Sequence, residues 1–262
     1  MNTKYFQTAS SLLSVALLLG ALAGYAGQEL REEFHKEYPL DKTGKISLEN
    51  VNGNVHIQTW DRDEVKVDAV KRAKKQEHLD EVQIEIDAKP DRIRIKTKHP
   101  DSKKQKNNSV TVDYTLTVPR QSNLAKISAV NGGVEIENVG GNVEASSVNG
   151  PVTASGLIGE VNLSTVNGAL KASFAAVKSA VLLKSVNGNV TVAVPAETDA
   201  DISVNSVNGG ISTDFSLETK KQFPVGHNLD GKLGKGGPAI KLSSVNGAIR
   251  IDRSKTVTLE NQ

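Results

Sequence analysis

Residues Ile127 to Lys171 read ISAVNGGVE IENVGGNVE ASSVNGPVT ASGLIGEVN LSTVNGALK, and this stretch decides the fold. It contains five gapless copies of a nine-residue unit, each with one short segment and one turn. Odd copies carry VNG, and even copies carry VGG or LIG. Apolar residues alternate with polar ones after each turn, as at Val134 and Ile136, which predicts strands with one buried face.

The tripeptide VNG occurs seven times in the chain. From the second copy onward, successive asparagines are separated by 18, 18, 20, 21 and 38 residues, and the last interval is close to two periods. A period of about 20 residues is typical of repeat architectures. The seven asparagines are Asn52, Asn131, Asn149, Asn167, Asn187, Asn208 and Asn246.

The Asn-Gly pairs predict tight turns, because both residues adopt positive φ at low cost. Two all-β arrangements fit a strand followed by a turn: an antiparallel meander and a β-solenoid. In the solenoid, each coil of 18–21 residues contains two short strands, and equivalent residues stack about 4.8 Å apart. The repeated corner favours the solenoid, because stacked asparagine amides hydrogen bond to one another along the stack.

A second ladder is expected two residues before the corner asparagines, where small hydroxyl residues recur. The row is interrupted at Asn50 and Ala129. Its members are Ser147, Thr165, Ser185, Ser206 and Ser244.

Residues 1–26 have the pattern of a secretory signal peptide, with Lys4 before an apolar run and small residues before a cleavage site after Ala26. An uncleaved anchor is the alternative, although the run is shorter than the roughly 20 residues that span a bilayer. The chain has no cysteine, which excludes disulfides, thiolate metal sites and lipid attachment to cysteine. We therefore expect an exported protein of the periplasm or cell surface, without a stable transmembrane segment after cleavage.

The remaining chain is expected to form a charged lead-in segment at 27–43 and one β-repeat domain at 44–262. Since an open solenoid end exposes unpaired backbone groups, the longer strands of the N-terminal part are expected to start the solenoid and cap it. A loop is expected between Lys71 and Glu81, with a helical turn as the alternative. The domain is divided into longer strands at 44–120, regular VNG coils at 121–215, a glycine-rich loop or hairpin that replaces one coil at 216–241, and a terminal coil at 242–262.

The formal net charge is +2, so no general attraction to nucleic acid is expected. Basic residues nevertheless recur at every second position of one predicted strand. We interpret this row as a candidate contact for an anionic partner, with a solvated strand face as the alternative. The row consists of Arg92, Arg94, Lys96 and Lys98.

Catalytic, metal and cofactor sites are not predicted. The sequence has no GxSxG nucleophile motif, and its five histidines are scattered without ligand spacing. Carboxylates such as Glu135, Glu137 and Glu160 are spread along outer positions of the repeat. General acid-base chemistry on a glycosidic bond would need two such groups at one bond.

Three stretches together resemble the bacterial putative-adhesin family of β-strand-repeat proteins. They are FHKEYPLDKTGKISLENVNGNVHIQTWDRDEVKVDAVKRA from Phe34, the serial SVNG corners, and GKLGKGGPAIKLSSVNGAIRI from Gly231. The resemblance covers nearly all of the chain after residue 26 and implies a β-solenoid-like fold without catalytic residues to carry over.

We therefore expect a non-catalytic scaffold or adhesion-type binding protein of the cell envelope. Its expected partner is an envelope glycan or another protein, since long parallel stacks present regularly spaced side chains to extended partners. The alternative is a carbohydrate-active β-helix enzyme that acts on envelope or extracellular polysaccharide.

Overall fold

The computed structural model describes residues 29–100, 110–217 and 226–254, together with the backbone of residues 220–221. The predicted signal peptide lies outside the described residues. Within them, the chain forms 21 strands and one short helix, and the fold is all-β as predicted.

The elements, in chain order, are β1 (Leu30–Pro39), β2 (Lys45–Asn52), β3 (Val55–Trp60), β4 (Glu64–Ala73), α1 (Gln76–Glu81), β5 (Gln83–Lys89), β6 (Arg92–Lys98), β7 (Thr111–Pro119), β8 (Asn123–Asn131), β9 (Val134–Glu137), β10 (Val143–Asn149), β11 (Val152–Leu157), β12 (Val161–Asn167), β13 (Leu170–Phe174), β14 (Val181–Asn187), β15 (Val190–Pro195), β16 (Ala200–Ser206), β17 (Ile211–Thr213), β18 (Lys220–Lys221), β19 (His227–Leu233), β20 (Ala239–Asn246) and β21 (Ile249–Ser254).

The strands form two sheets that share one core. Sheet A has the strand order β1-β4-β7-β3-β9-β11-β13-β15-β21-β17, and sheet B has the order β18-β19-β16-β20-β14-β12-β10-β8-β2-β6-β5. Most of the buried core side chains are valine, isoleucine, leucine and alanine, and Tyr114 and Phe174 are its buried aromatic residues among those described.

Each regular coil contributes one strand to sheet B and the next strand to sheet A. In sheet B, β10 and β12 pair in parallel, with Val143 opposite Val161 and Asn149 opposite Asn167. In sheet A, β11 and β13 pair in the same way. Equivalent positions of successive coils are therefore direct neighbours, which confirms the solenoid and rules out the meander for this part of the chain.

The stack does not follow chain order at its C-terminal end. Strand β20 inserts between β14 and β16 and pairs in parallel with both. Strand β19, which connects the two coils in the chain, pairs antiparallel with β16 on its outer side. The segment predicted as a glycine-rich loop or hairpin at 216–241 includes the antiparallel strands β18 and β19 and the start of β20. Strand β20 stacks directly on β14. The coil predicted to be terminal is last in the chain but second to last in space.

At the N-terminal end of the stack, too, the spatial order of the strands differs from their order in the chain. The coil of β2 and β3 stacks on β8 and β9, while β6 and β7 lie on its outer side. Strands β5, β4 and β1 then extend the two sheets by antiparallel pairing. This end is capped by long strands as expected, and most of the predicted lead-in is edge strand β1.

The predicted loop at 71–81 is wrong and the alternative helical turn is confirmed, because β4 continues to Ala73 and helix α1 follows. Lys71 is 8% exposed, and its Nζ donates to the carbonyl oxygens of Leu79 and Val82 at 3.1 and 3.2 Å. An ammonium group stabilises the free carbonyls at the end of a helix. This contact fastens α1 to sheet A.

The corner glycines are required for a reason other than the predicted positive φ. Among the glycines of the VNG motifs, positive φ occurs only at Gly53. An added Cβ at Gly150 would lie 2.1 Å from the carbonyl oxygen of Gly132 in the neighbouring coil. The same approach to a glycine of the adjacent coil recurs at Gly132, Gly168, Gly188, Gly209 and Gly247. Stacked backbones leave no room for a side chain here.

We expect Gly150→Ala to lower the free energy of unfolding by about 1–3 kcal/mol, because the obstructing atom is backbone and cannot rotate aside. Gly210→Ala is the matched control, since nothing lies within 4 Å of a Cβ built at Gly210. Urea denaturation followed by circular dichroism measures both variants. Equal stability of the two would contradict the close approach at the corner.

Candidate binding surface

One corner of the solenoid carries a continuous row of asparagines, which we call the asparagine ladder. The Nδ2 of each asparagine donates to the Oδ1 of the next one toward the N-terminal end, at 2.7–2.9 Å. The structure thus brings together all seven predicted residues. In spatial order they are Asn208, Asn246, Asn187, Asn167, Asn149, Asn131 and Asn52.

All hydrogen bonds between the side-chain amides of the ladder point in one direction. At its N-terminal end, the Nδ2 of Asn52 donates to the carbonyl oxygen of Val110 at 3.4 Å. Bonds in such a chain polarise and strengthen one another. A primary amide has two N–H groups and two acceptor lone pairs, so an asparagine inside the ladder keeps one N–H and one lone pair for other contacts.

The predicted hydroxyl residues also lie in one row, but their hydroxyl groups donate to backbone carbonyls and not to one another. Ser147 is 3% exposed, and its Oγ donates to the carbonyl oxygen of Gly132 at 2.8 Å. Thr165 donates to Gly150 at 2.9 Å. Ser185, Ser244 and Ser206 make the corresponding bonds to Gly168, Gly188 and Gly247. Each buried hydroxyl therefore satisfies a corner carbonyl of the adjacent coil.

Where Asn50 interrupts this row, its side-chain amide forms hydrogen bonds that end the row. The Nδ2 of Asn50 donates to the carbonyl oxygens of Val112 and Gly53 at 2.8 and 3.1 Å. Its Oδ1 accepts from the hydroxyl of Thr97 at 3.0 Å, and that hydroxyl is paired with the Tyr114 hydroxyl at 2.7 Å. Burial raises the pKa of Tyr114 to about 12, so the phenol remains protonated near neutral pH.

The valines of the VNG motifs form a second exposed row, which we call the valine stripe. Its members are Val51, Val130, Val148, Val166, Val186, Val245 and Val207. They are 37–41% exposed, and among the described residues Leu30 is the only other exposed large apolar residue. With a strand spacing of about 4.8 Å, the seven valines span about 29 Å.

The valine stripe was not predicted, because only the asparagine and glycine of VNG were assigned roles in the corner. The available signal was the strand alternation, since a residue next to a buried serine or threonine faces the opposite side. Seven valines at that position predict an apolar outer row. Contiguous exposed apolar surface marks interaction sites in soluble proteins, so this corner is the candidate binding surface.

The predicted basic row lies on β6, where Arg92, Arg94, Lys96 and Lys98 alternate with the buried residues Ile93, Ile95 and Thr97. Acidic side chains flank it on both sides. Lys98 pairs with Glu85 at 2.5 Å, and Lys96 lies 3.9 Å from Glu49. Lys126, which donates to Glu49, and then Lys96 hold the pKa of Glu49 below its ordinary value. The row is therefore partly neutralised.

A cluster of His56, Glu135 and Glu137 was not predicted. Parallel pairing of β3 and β9 sets His56 opposite Glu135, with 3.3 Å between Nδ1 and Oε2. One donor atom from each of the three residues lies within 4.8 Å of the others, and no other group of histidine and carboxylates in the described part of the chain converges in this way. The signal was the equal offset of four residues from Asn52 to His56 and from Asn131 to Glu135.

Residues 120–252 match the family model described as Toastrack DUF4097. The chain belongs to this family. The relation predicted from the SVNG corners and the closing stretch is thereby confirmed. The matched segment of this Toastrack chain runs from just before β8 into β21 and includes the regular coils with most of the asparagine ladder.

Several solved structures are similar to this Toastrack chain. A putative cell adhesion protein from Clostridium sporogenes is 12% identical, with a TM-score of 0.49 over 85% of this chain and 100% of that one. A putative adhesin from Bacteroides fragilis is 15% identical, with a TM-score of 0.40 over 85% and 97%. A putative lipid binding protein from Parabacteroides distasonis is 12% identical, with a TM-score of 0.23 over 85% and 97%. At this similarity, their names do not assign a function to this chain.

Among curated proteins, none matches this chain.

We expect Asn167→Asp to destabilise the protein by about 1–2 kcal/mol, because a carboxylate cannot donate to Asn149 and faces its oxygen instead. Asn52→Asp is the matched control. Asn52 accepts from Asn131, which a carboxylate also does, and loses only a 3.4 Å contact as donor. Chemical denaturation of both variants measures the difference, and an equal effect would contradict a directional ladder.

Proposed function

We propose that this Toastrack chain is a non-catalytic, exported scaffold of the adhesion type that binds an extended envelope glycan along the valine stripe and the asparagine ladder. The observation that carries this proposal is the stripe itself. Apart from Leu30, the described residues expose large apolar side chains only there.

The chemistry of the corner suits a polysaccharide. Sugar rings present apolar C–H faces and hydroxyl groups that both donate and accept hydrogen bonds. The valine side chains offer apolar contact, while the solvent-facing N–H and lone pair of each amide offer both hydrogen-bonding roles. The valine and asparagine side chains repeat at about 4.8 Å on a stack of strands. A long repeating partner therefore gains contacts without the entropic cost of ordering a protein loop.

The N-terminal sequence supports the exported location. Residues 1–26 have the order of a signal peptide, with a charged start, a short apolar run and small residues before the cleavage site. The absence of cysteine is compatible with this location, because the stacked backbone hydrogen bonds of the solenoid cross-link the coils without disulfides.

None of the helices in the described residues has the length and apolar character needed to cross a lipid bilayer.

The alternative function, a carbohydrate-active enzyme, would rest on neighbouring carboxylates, such as the two beside His56. A glycosidase places two carboxyl groups on either side of the scissile bond. Glu135 and Glu137 instead project from the outer face of sheet A on one strand, β9. Carboxylates also line two open grooves of about 540 and 510 Å³ elsewhere. The first contains Glu32, Asp80 and Glu85, and the second contains Glu144 and Glu160.

The test replaces Val148, Val166 and Val186 together by threonine, which keeps the β-branched shape and removes apolar surface. We expect retention on immobilised envelope polysaccharide to weaken at least about tenfold, since each buried methyl-sized group contributes about 0.8 kcal/mol. The matched control replaces Thr153 and Thr191 by valine on the outer side of sheet A, and we expect it to bind like the wild type.

Three results would contradict the proposal. Release of shortened sugar products would indicate the enzyme. Retention on protein but not on polysaccharide would exclude the glycan. Salt-sensitive binding that is lost when Arg92, Arg94, Lys96 and Lys98 become glutamine, but not in the valine variant, would place the contact on β6.

A further inference from the structure

The register of the solenoid brings three potential metal ligands to one place. On β3 and β9, Val55, Ile57, Val134 and Ile136 are buried. Because strand residues alternate between faces, His56, Glu135 and Glu137 all project outward from sheet A. The two strands lie about 4.8 Å apart, and alternate residues on a strand are about 6.6 Å apart. These distances are within the reach of glutamate side chains.

The two glutamates have no lysine or arginine partner in the described part of the chain. The carboxylate of Glu135 contacts His56, and no ion pair of Glu137 occurs among the described residues. Other acidic groups on the same face are compensated, as where Lys66 lies 2.9 Å from Asp68. Two neighbouring carboxylates without a cation repel each other, and a bound cation would remove that repulsion.

The strands beside the cluster supply no competing charge at the level of His56. Thr115 on β7 is the register partner of His56 on one side, and Thr153 on β11 is the partner of Glu135 on the other. Both are neutral and shorter than glutamate. A cation placed among the three ligands would therefore meet no positive side chain from the adjacent register positions.

The donor set selects the type of cation. Zn²⁺ binds imidazole nitrogen and carboxylate oxygen at about 2.0–2.2 Å, usually with tetrahedral geometry. Calcium and magnesium prefer oxygen ligands alone. The three donor atoms lie within 4.8 Å of one another, with Glu135 exposed and both His56 and Glu137 half-buried. Tetrahedral coordination of one Zn²⁺ would need separations of about 3.3 Å between them.

We propose that His56, Glu135 and Glu137 form a binding site for one Zn²⁺ ion on the outer face of sheet A. Three protein ligands leave a fourth coordination position for water or for a donor atom of a partner. His56 and Glu135 each follow an asparagine of the ladder by four residues, and the site shares no residue with the valine stripe. A test of Zn²⁺ binding is therefore independent of a test of glycan binding.

Calorimetric titration of the tag-free protein with Zn²⁺ alone tests the site. We expect one equivalent to bind to the wild type. His56→Ala, Glu135→Gln and Glu137→Gln are each expected to weaken binding at least about tenfold, because each removes one of three ligands. The ring signals of His56 in the proton NMR spectrum are expected to shift when Zn²⁺ is added.

His35→Ala is the matched control. His35 also projects from sheet A and lies beside two carboxylates, with Nδ1 at 2.7 Å from Asp68 and Nε2 at 3.2 Å from Glu33. Those carboxylates lie at opposite ring nitrogens and do not converge on one ion, so we expect wild-type affinity. Circular dichroism checks that every variant is folded.

The proposal is overturned if the wild type shows no saturable Zn²⁺ binding. It is also overturned if His35→Ala weakens binding as much as His56→Ala. Wild-type affinity in Glu137→Gln would exclude the three-ligand site.

Discussion

The close contact between stacked coils at the VNG corner is the constraint on which the structure depends. The carbonyl oxygen of one corner glycine lies where the Cβ of the next would be, and it accepts the buried hydroxyl of the adjacent coil. The asparagine amides bond along the same line. Because each regular coil meets a near copy of itself, one combination of serine or threonine, asparagine and glycine recurs along the stack. At the N-terminal end, the amide of Asn50 replaces the hydroxyl and donates to the carbonyl oxygen of Gly53. A chain without cysteine is thereby cross-linked by hydrogen bonds alone.

The regular coils could be predicted because their information is local. A nine-residue unit with alternating apolar positions determines both the strands and their spacing, and an amide that recurs at each period bonds best to its own copy. The order of coils at the two ends could not be predicted in this way. The corners at Asn208 and Asn246 carry the same motif, so either suits the position next to Asn187. The choice of Asn246 depends on non-local pairing of β20 with both neighbours.

The candidate site was also predicted only as far as its features depend on local sequence. The asparagine ladder follows from the motif, whereas the valine stripe requires the face of each residue as well as its recurrence. The pairing of His56 with Glu135 joins residues 79 positions apart and appears only when offsets are counted from the corner. The basic residues of β6 were recognised correctly as an outward row. Their neutralisation by Glu85 and Glu49 depends on strands that are distant in sequence.

The insertion of the last coil has a consequence for the exposed corner. It places Val245 between Val186 and Val207, so that the stripe continues across the change of chain order, as the asparagine ladder does. Threonine has the same branched shape and a similar preference for strands, so strand formation alone does not select valine at these positions. An exposed apolar row also raises the risk of aggregation. The recurrence of valine at all seven corners therefore supports the proposed contact with a long partner.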